Sequence, residues 1–521
     1  MDKAQLAAES LALMKEAQGQ PSNELLKAWT QSGSAVSGIT AYDLEAPSKK
    51  LYPVITPLRN EIPRTSGKGG IQAAWRAVTG INTGNMQPYV SGGNRSGVMA
   101  STTADYTAAY KGLGLEDSVT FEADYAGENF EDVKALAVEG LLRAMMIAEE
   151  KVILGGNNSL TLANTPAIVL TSANTGGGLT GNIGYGVGCV ALTFEGYLMA
   201  SLTTGIVQST SRTNADSSVD VINGGTTLPA TQANIINACT AATTTISASV
   251  TPVAGAMAYA WFWGANAGNL TLGAITTINS VLITANATGA AVSPGVSNYQ
   301  ALTATNNSVN SLAFDGLLTF ASKSSLNSYQ ATQANGTAGT GTPLTSDSAG
   351  GIVEIDTALK SFWDNYRLSP DTLWVNSQEM NNIGKKILAG SAGAAQRFVF
   401  NADQGLLGGG IMVRTYLNKF AMDGAQELKI RLHPNMPAGT MMFTTNRLPY
   451  PLSNVTNVMQ MRMRRDYYQI EWPVVTRKYQ YGIYEDGVLQ HYFPPSISTC
   501  AFAAEAANDN FVNSGKLPLA A

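Results

Sequence analysis

Between Asn157 and Thr345 the chain carries six charged side chains in 189 residues: Glu195, Arg212, Asp216, Asp220, Asp315 and Lys323. That is about 3%, against a usual quarter. The other 332 residues hold 63, or about 19%. So sharp a change inside one chain marks an inserted module with its own history. The segment is not disordered sequence, because β-branched and aromatic runs punctuate it at Ala167–Leu170, Tyr185–Thr193, Ile246–Val253, Tyr259–Trp263 and Ile278–Thr284. Gly, Asn and Pro clusters separate these runs. The pattern predicts an antiparallel β-sandwich.

The flanking sequence reads differently. From Asn129 to Leu154, apolar positions fall at Phe130, Val133, Ala137, Leu141, Ala144, Ala148 and Val152, the steps of one helix face. Asn129 is expected to cap its start, Asp132 suits the positive end of its dipole, and Gly155-Gly156 stops it. A charge at Val133 or Leu141 would then sit in a core. A second helix follows the insert, with Ile352, Ile355, Leu359, Phe362 and Tyr366 on one stripe and Ser369-Pro370 at its end. A short strand, Thr372–Val375, leads to a third helix capped by Ser377 and bearing Met380, Ile383 and Ile387. Near the C-terminus the period becomes two: Met459, Met461 and Met463 alternate with Gln460, Arg462 and Arg464, and strand-rich sequence runs from Tyr467 to Tyr484. The class is mixed α+β with an all-β insert.

Between Arg64 and Gly127 lies a stretch rich in Gly, Ser, Thr and Asn that could not bury a core alone. A connection of about sixty residues is far beyond the usual length within a domain. It predicts an extended two-stranded arm that lies on a neighbouring subunit.

Composition narrows the chemistry. A chain of 521 residues predicts two or three domains, and its net charge of -5 offers no basic field for a dedicated nucleic-acid binder. The three cysteines, Cys189, Cys239 and Cys500, show no CxxC spacing, so neither a zinc site nor a disulfide framework is indicated, and a reduced compartment fits. The two histidines, His433 and His491, have no partner motif and read as structural. Gly67-Lys68-Gly69-Gly70 fails as a phosphate loop, because Ile62 stands where a Gly is needed and Gly69 where Ser or Thr is needed. Glu128, Glu131 and Asp132 suit a helix N-terminus better than an acid pair. Arg462, Arg464, Arg465, Arg477 and Lys478 read as a solvated or subunit-contacting face. No catalytic, cofactor-binding or metal-binding residue is expected, and no cofactor. The N-terminal stretch with Leu6, Leu11, Leu13 and Met14 lacks the pattern of a secretory signal, and no window has the ~18 consecutive apolar residues of a membrane span. Synthesis in the cytosol without export is expected.

The order of these elements resembles a tailed-phage major capsid protein of the Hong Kong 97 type. Three stretches carry the resemblance: Ala148-Glu149-Glu150-Lys151-Val152-Ile153-Leu154-Gly155-Gly156-Asn157, Gly351-Ile352-Val353-Glu354-Ile355-Asp356, and Arg465-Asp466-Tyr467-Tyr468-Gln469-Ile470-Glu471-Trp472-Pro473. It covers about two-thirds of the chain. The resemblance implies an N-terminal arm (residues 1–63), an E-loop (64–127) and the spine helix of a peripheral domain (128–158). After the insert (159–310) it implies an axial domain with return segments (311–450), then peripheral strands and the C-terminus (451–521). It also implies a homo-oligomer of hexamers and pentamers forming an icosahedral shell around phage DNA. Portal, scaffold and decoration proteins would be partners, packaged DNA would touch the inner surface non-specifically, and no membrane would be involved. The location would be the virion, after assembly in the host cytoplasm. Some such shells cross-link a Lys of the loop to a neighbour's Asn; Lys68 and Lys111 lie in the right segment, and no cross-link is expected.

The insert has its own resemblance. Ser249-Val250-Thr251-Pro252-Val253-Ala254-Gly255-Ala256-Met257-Ala258-Tyr259-Ala260-Trp261 looks like the B-to-C hairpin of a fibronectin type III or immunoglobulin-like sandwich, with Gly255-Ala256 at the turn and Tyr259 inward. The preceding strand, Ser247-Ala248-Ser249-Val250, carries no Trp, so the subtype stays open. Gly188–Thr193 would be another strand of it. Trp261 and Trp263, on alternate positions with Tyr259, are expected in the core and not at a sugar site. The module is expected on the outer face of the shell, accessory and replaceable by a linker. An encapsulin-like compartment, and a β-sandwich adhesin or glycan-binding surface protein, are the alternatives.

Overall fold

The computed structural model describes residues 49–501 apart from 82–88, 129, 180, 182, 215, 240–242, 266–267, 290–291, 334–335, 390–412, 423, 425 and 497. The N-terminal amphipathic stretch and Asn129 lie outside the described residues. Two compact units partition the described chain: 49–52 with 119–136, and 53–118 with 137–501.

The chain enters through a short helix α1 (Pro57–Glu61), with proline in its first turn where no amide is needed. Strand β1 (Arg64–Ser66) follows, then β2 (Gln72–Ile81) and β3 (Ser101–Ala109), an antiparallel pair in register from Gln72↔Ala109 to Ile81↔Ser101. Strand β4 (Lys111–Thr120) leads to α2 (Phe121–Gly127), whose Ala123 amide donates to Thr120 Oγ1 at 3.3 Å. The long helix α3 (Val133–Gly155) has 23 residues, roughly 34 Å at about 1.5 Å each. Asp132 Oδ1 caps it, accepting from the amides of Lys134 and Ala135, both at 3.1 Å. The helix thus starts three residues later than its periodicity predicts, and the capping carboxylate is the one expected to serve the dipole.

Its buried face is also turned from the expected one. Leu141, Met145, Glu149, Glu150, Ile153 and Leu154 are buried, whereas Ala144 is exposed and Val133, Ala137, Ala148 and Val152 are half-buried. Leu141 keeps its place, packing with Met145 against Ile483. Small alanines could satisfy the periodicity without being the residues that fill a core. The helix ends at Gly155, on which Phe194 packs so closely that a Cβ would stand 2.3 Å from the ring.

The low-charge region begins with β5 (Val169–Ala173) and β6 (Ile183–Leu192). A single-turn helix α4 (Phe194–Met199), capped by Thr193, and a hairpin of β7 (Ser209–Thr213) and β8 (Val219–Asn223) come next. Then follow β9 (Ala233–Cys239), β10 (Thr245–Ser249), β11 (Ala258–Ala265), β12 (Thr271–Thr276) and β13 (Ser280–Ile283). Two sheets form, ordered β13-β10-β5 and β12-β11-β6-β9. One buried cluster draws Ile246, Ala248, Val281 and Ile283 from the first and Tyr185, Val187, Cys189, Tyr259, Trp261 and Trp263 from the second. Strands β10 and β11 sit in different sheets, so the 249–261 stretch crosses between sheets and is not a hairpin within one. The four-stranded sheet is buried on both faces: Val190, Leu192, Ala260, Phe262 and Leu272 turn the other way, onto Ile206, Val292 and Tyr299. That explains six consecutive buried residues in β11.

The ends of this region meet at its base. Asn157 Nδ2 donates to Ser308 O at 2.7 Å, Asn310 N to Asn157 O at 2.8 Å, and Gly316 N to Gly156 O at 2.7 Å. Helix α5 (Leu317–Ser322) then enters a core shared by Ile153, Leu154, Phe194, Met257, Leu317, Leu318, Met459 and Met461. The low-charge region is therefore packed into the rest through Phe194 and Met257.

Strand β14 (Gln330–Thr332), helix α6 (Val353–Tyr366), β15 (Thr372–Val375), helix α7 (Ser377–Ala389), β16 (Thr415–Asn418), β17 (Gln426–Leu432) and β18 (Thr440–Thr444) lie next along the chain. The expected stripe of α6 packs with Leu373, Val375, Ile383, Leu428 and Phe443. The cap of α7 is Asn376, whose Oδ1 accepts from the Gln378 amide at 2.9 Å, and Ser377 is already the first helical residue. Last come β19 (Met459–Glu471), β20 (Lys478–His491) and β21 (Ser498–Ala501). The sheets are β14-β21-β18-β15-β17-β16 and β1-β19-β20-β4. Met459, Met461 and Met463 are buried, as their alternation predicts.

Candidate assembly surface

The β2–β3 pair is a sheet of two strands, with no third strand on either edge among the described residues. A lone hairpin of this kind is marginal in water. Its base is anchored: Ala73 is buried, Trp75 stacks on its cross-strand partner Tyr106 at 5.9 Å, and Trp75 meets the Tyr492 ring edge-on at 5.8 Å. On the opposite face Arg76 and Asp105, also register partners, form a bidentate pair at 2.6 and 2.7 Å. Beyond that the arm exposes Val78, Ile81, Tyr89, Val90, Val98 and Met99, with Val98 at 97% and Tyr89 at 89%. Such side chains gathered on a segment without a core mark a contact surface. The arm proper is shorter than the 64–127 stretch, because β1 and β4 flank the long β19–β20 hairpin in a four-stranded sheet. The tip of that hairpin exposes Val474 and Val475 as well.

The segment that leads into the arm, α1 and β1, is held by a buried ionic joint. Glu149 and Glu150, next to one another near the end of α3, are both fully buried and turn to different partners. Glu149 accepts from Arg59 Nε at 2.9 Å, from Arg64 Nη2 and from the Tyr467 hydroxyl. Glu150 accepts from the Leu58 and Arg59 amides at 2.9 and 2.7 Å, satisfying donors that the first turn of α1 leaves open. It also meets His433 Nε2 at 2.8 Å. Arg59 and Arg64 both lie over the Tyr467 ring, 5.2 and 4.8 Å from its centroid. Burial, with Glu485 and Glu149 nearby, holds the Tyr467 hydroxyl well above its ordinary range, so it donates. The sequence hides this joint. Glu149 and Glu150 read as part of a helix motif, and their partners lie 85 to 318 residues away.

The residues considered for chemistry end in ordinary roles. His433 packs edge-on to Trp374 at 6.1 Å while serving Glu150. His491 is buried with neither ring nitrogen hydrogen-bonded, and burial pushes it down to about 3, so it is neutral. Gly67 donates its amide to Met463 O at 2.6 Å, continuing the β1–β19 pairing. Arg464 pairs with Asp486 at 2.9 Å and Arg465 lies 4.0 Å from the Tyr468 centroid. Cys189 is buried and unpaired, its thiol pushed up by burial. Trp261 and Trp263 lie in the core, donating to Thr276 Oγ1 at 2.8 Å and Ala285 O at 3.0 Å. Among the described residues no group of His, Cys, Asp or Glu could hold a metal ion, and no helix is long and apolar enough to cross a membrane.

No family model matches the chain, and no curated protein matches it. Solved structures do. The chain is similar to the capsid of Myoviridae phage XM1 at 9% identity and a TM-score of 0.37, over 88% of this chain and 95% of that one. It is similar to the SrpI encapsulin of Synechococcus elongatus PCC 7942 at 7% identity and a TM-score of 0.34, over 88% and 92%. It is similar to the capsid of the native GTA particle at 8% identity and a TM-score of 0.40, over 91% of this chain and 99% of that one.

Proposed function

We propose that the chain is the major subunit of a tailed-phage head shell of the Hong Kong 97 type, structural and not enzymatic. The observation that carries this reading is the β2–β3 arm, which leaves apolar side chains exposed beyond its base and has no core of its own. A neighbouring copy would cover it, coupling assembly to the arm's folding, and closed symmetry would multiply modest contacts into a stable shell. On this reading the subunits form hexamers and pentamers, with portal, scaffold and decoration proteins as partners and non-specific contact with packaged DNA inside. The spine is α3, the α6–α7 region is the axial domain, and the 159–310 region is an immunoglobulin-like module on the outer face. The finished location is the virion, after assembly in the host cytoplasm.

Expression of the chain alone, followed by electron microscopy, tests this. Shells, tubes or hexamers are expected; a monomer at every concentration would sink the reading. A portal at one vertex of particles from infected cells separates a phage head from an encapsulin-like compartment.

Two further results are expected. Amides of residues 72–109 should exchange quickly in the unassembled subunit and become protected in the shell, by about tenfold or more. Equal rates in both states would remove the arm from the interface. Particles boiled in detergent should run as single chains on a gel. A ladder of multimers would show a covalent bond through Lys68 or Lys111.

A further inference from the structure

Glu485 lies on β20, 1% exposed, and neither of its carboxylate oxygens meets a hydrogen-bond donor. Arg64 Nη1 stands 3.6 Å from Oε2. The same guanidinium already serves Glu149 through Nη2 and Asp466 through Nη1, the latter at 2.5 Å. Arg59 supplies the second cation, on Glu149. The groups facing Glu485 thus come from four elements: Glu149 from α3, Arg59 from α1, Arg64 from β1, and Asp466 and Tyr467 from β19.

The charge count decides the state. Three carboxylates face two guanidiniums, and Tyr467 is neutral. With every carboxylate ionised the joint holds one uncompensated negative charge, in a place where Glu149 and Glu485 have almost no water to solvate it. One proton removes the excess. Glu485 is the group to take it, since Glu149 accepts three hydrogen bonds where Glu485 accepts none, and Asp466 is exposed at 57%.

We propose that Glu485 is a proton-operated latch on the strap of residues 56–66 that carries the arm. Protonated, it leaves Arg64 and Arg59 to clamp the strap onto the spine helix and the β19–β20 hairpin. Ionised, it competes with Glu149 and Asp466 for one guanidinium, repels both, and loosens the strap. Burial, then the neighbouring Glu149, pushes the Glu485 carboxyl up to about 8. Because this folded value lies above the unfolded one, the latch's stabilisation is complete in the acid range below the ordinary carboxylate value and is lost as pH rises through about 8. The latch is a property of the folded subunit and holds whether or not the subunit forms shells.

Hydrogen exchange of the full chain, corrected for the intrinsic base catalysis of exchange, reads the latch directly. Between about pH 6 and about pH 9.5 the strap should lose protection about tenfold or more, while α6 stays unchanged. Glu485→Gln keeps the neutral shape and should stay protected at both ends of that range. A strap whose protection is independent of pH, or a Glu485→Gln strap that loosens like the parent, overturns the proposal. Should that variant not fold, the infrared band of a protonated carboxyl decides. It should be recorded in a Glu195→Gln background, because burial raises Glu195 too, to about 7. A band present at about pH 6 and gone by about pH 10 supports the latch; no band at about pH 6 overturns it.

Discussion

Replacing Glu149 by alanine is expected to destabilise the subunit by about 3 kcal/mol, read as a fall in the denaturant midpoint of the unassembled chain. The carboxylate is fully buried and takes bonds from Arg59, Arg64 and Tyr467, so its loss leaves two guanidiniums and a hydroxyl facing an empty site. The value sits at the low end for a broken buried pair, because the arginine side chains are 16% and 20% exposed and Arg64 keeps Asp466. Asp466→Ala, at a site 57% exposed, should change stability by less than about 1 kcal/mol. If the two variants behave alike, the joint is not what holds the strap.

Replacing residues 159–310 by a short Gly-Ser linker is expected to leave no soluble, folded subunit. The low charge and the adjacent ends of that region predict a detachable module, and the hydrogen bonds at its base confirm that the ends meet. The core contradicts detachability. Phe194 packs on Gly155, and Phe194 and Met257 share one cluster with Ile153, Leu154, Leu317 and Leu318. Truncating large buried side chains costs about 2–5 kcal/mol each, and losing both approaches the roughly 5–15 kcal/mol that holds a domain folded. Circular dichroism and sedimentation of the linker variant check this. A soluble variant that still assembles would make the shared core dispensable.

Periodicity carried much of the fold and failed where partners were distant. The stripe from Ile352 to Tyr366 and the alternating methionines of β19 were legible, because a helix or strand displays its buried face locally. On α3 the alanines at 137, 144 and 148 gave a second consistent period, and no local signal says that Met145 and Glu149 win. A pair of glutamates on a helix reads as solvated until Arg59, Arg64 and His433 arrive from other parts of the chain. Within the insert, the runs behind β5, β6, β10, β11 and β13 were legible, whereas β7, β8, β9 and β12 and the sheet assignment were not. Six consecutive buried residues in β11 mean burial on both faces, which erases the alternation that would tell one face from the other.

The joint also sets an order of events during synthesis. The α1 amides wait for Glu150, 92 and 91 residues later, and β1 pairs with Met461–Met463, about 400 residues further on. At about 5–20 residues per second, the arm leaves the ribosome tens of seconds before the strand that anchors it exists. Throughout that interval the arm is a free ribbon with two unpaired edges, the kind of segment that nascent chains pair through by mistake. Its glycines, threonines and serines, and the Arg76–Asp105 pair across its strands, suit a segment that must stay unattached while the rest is made.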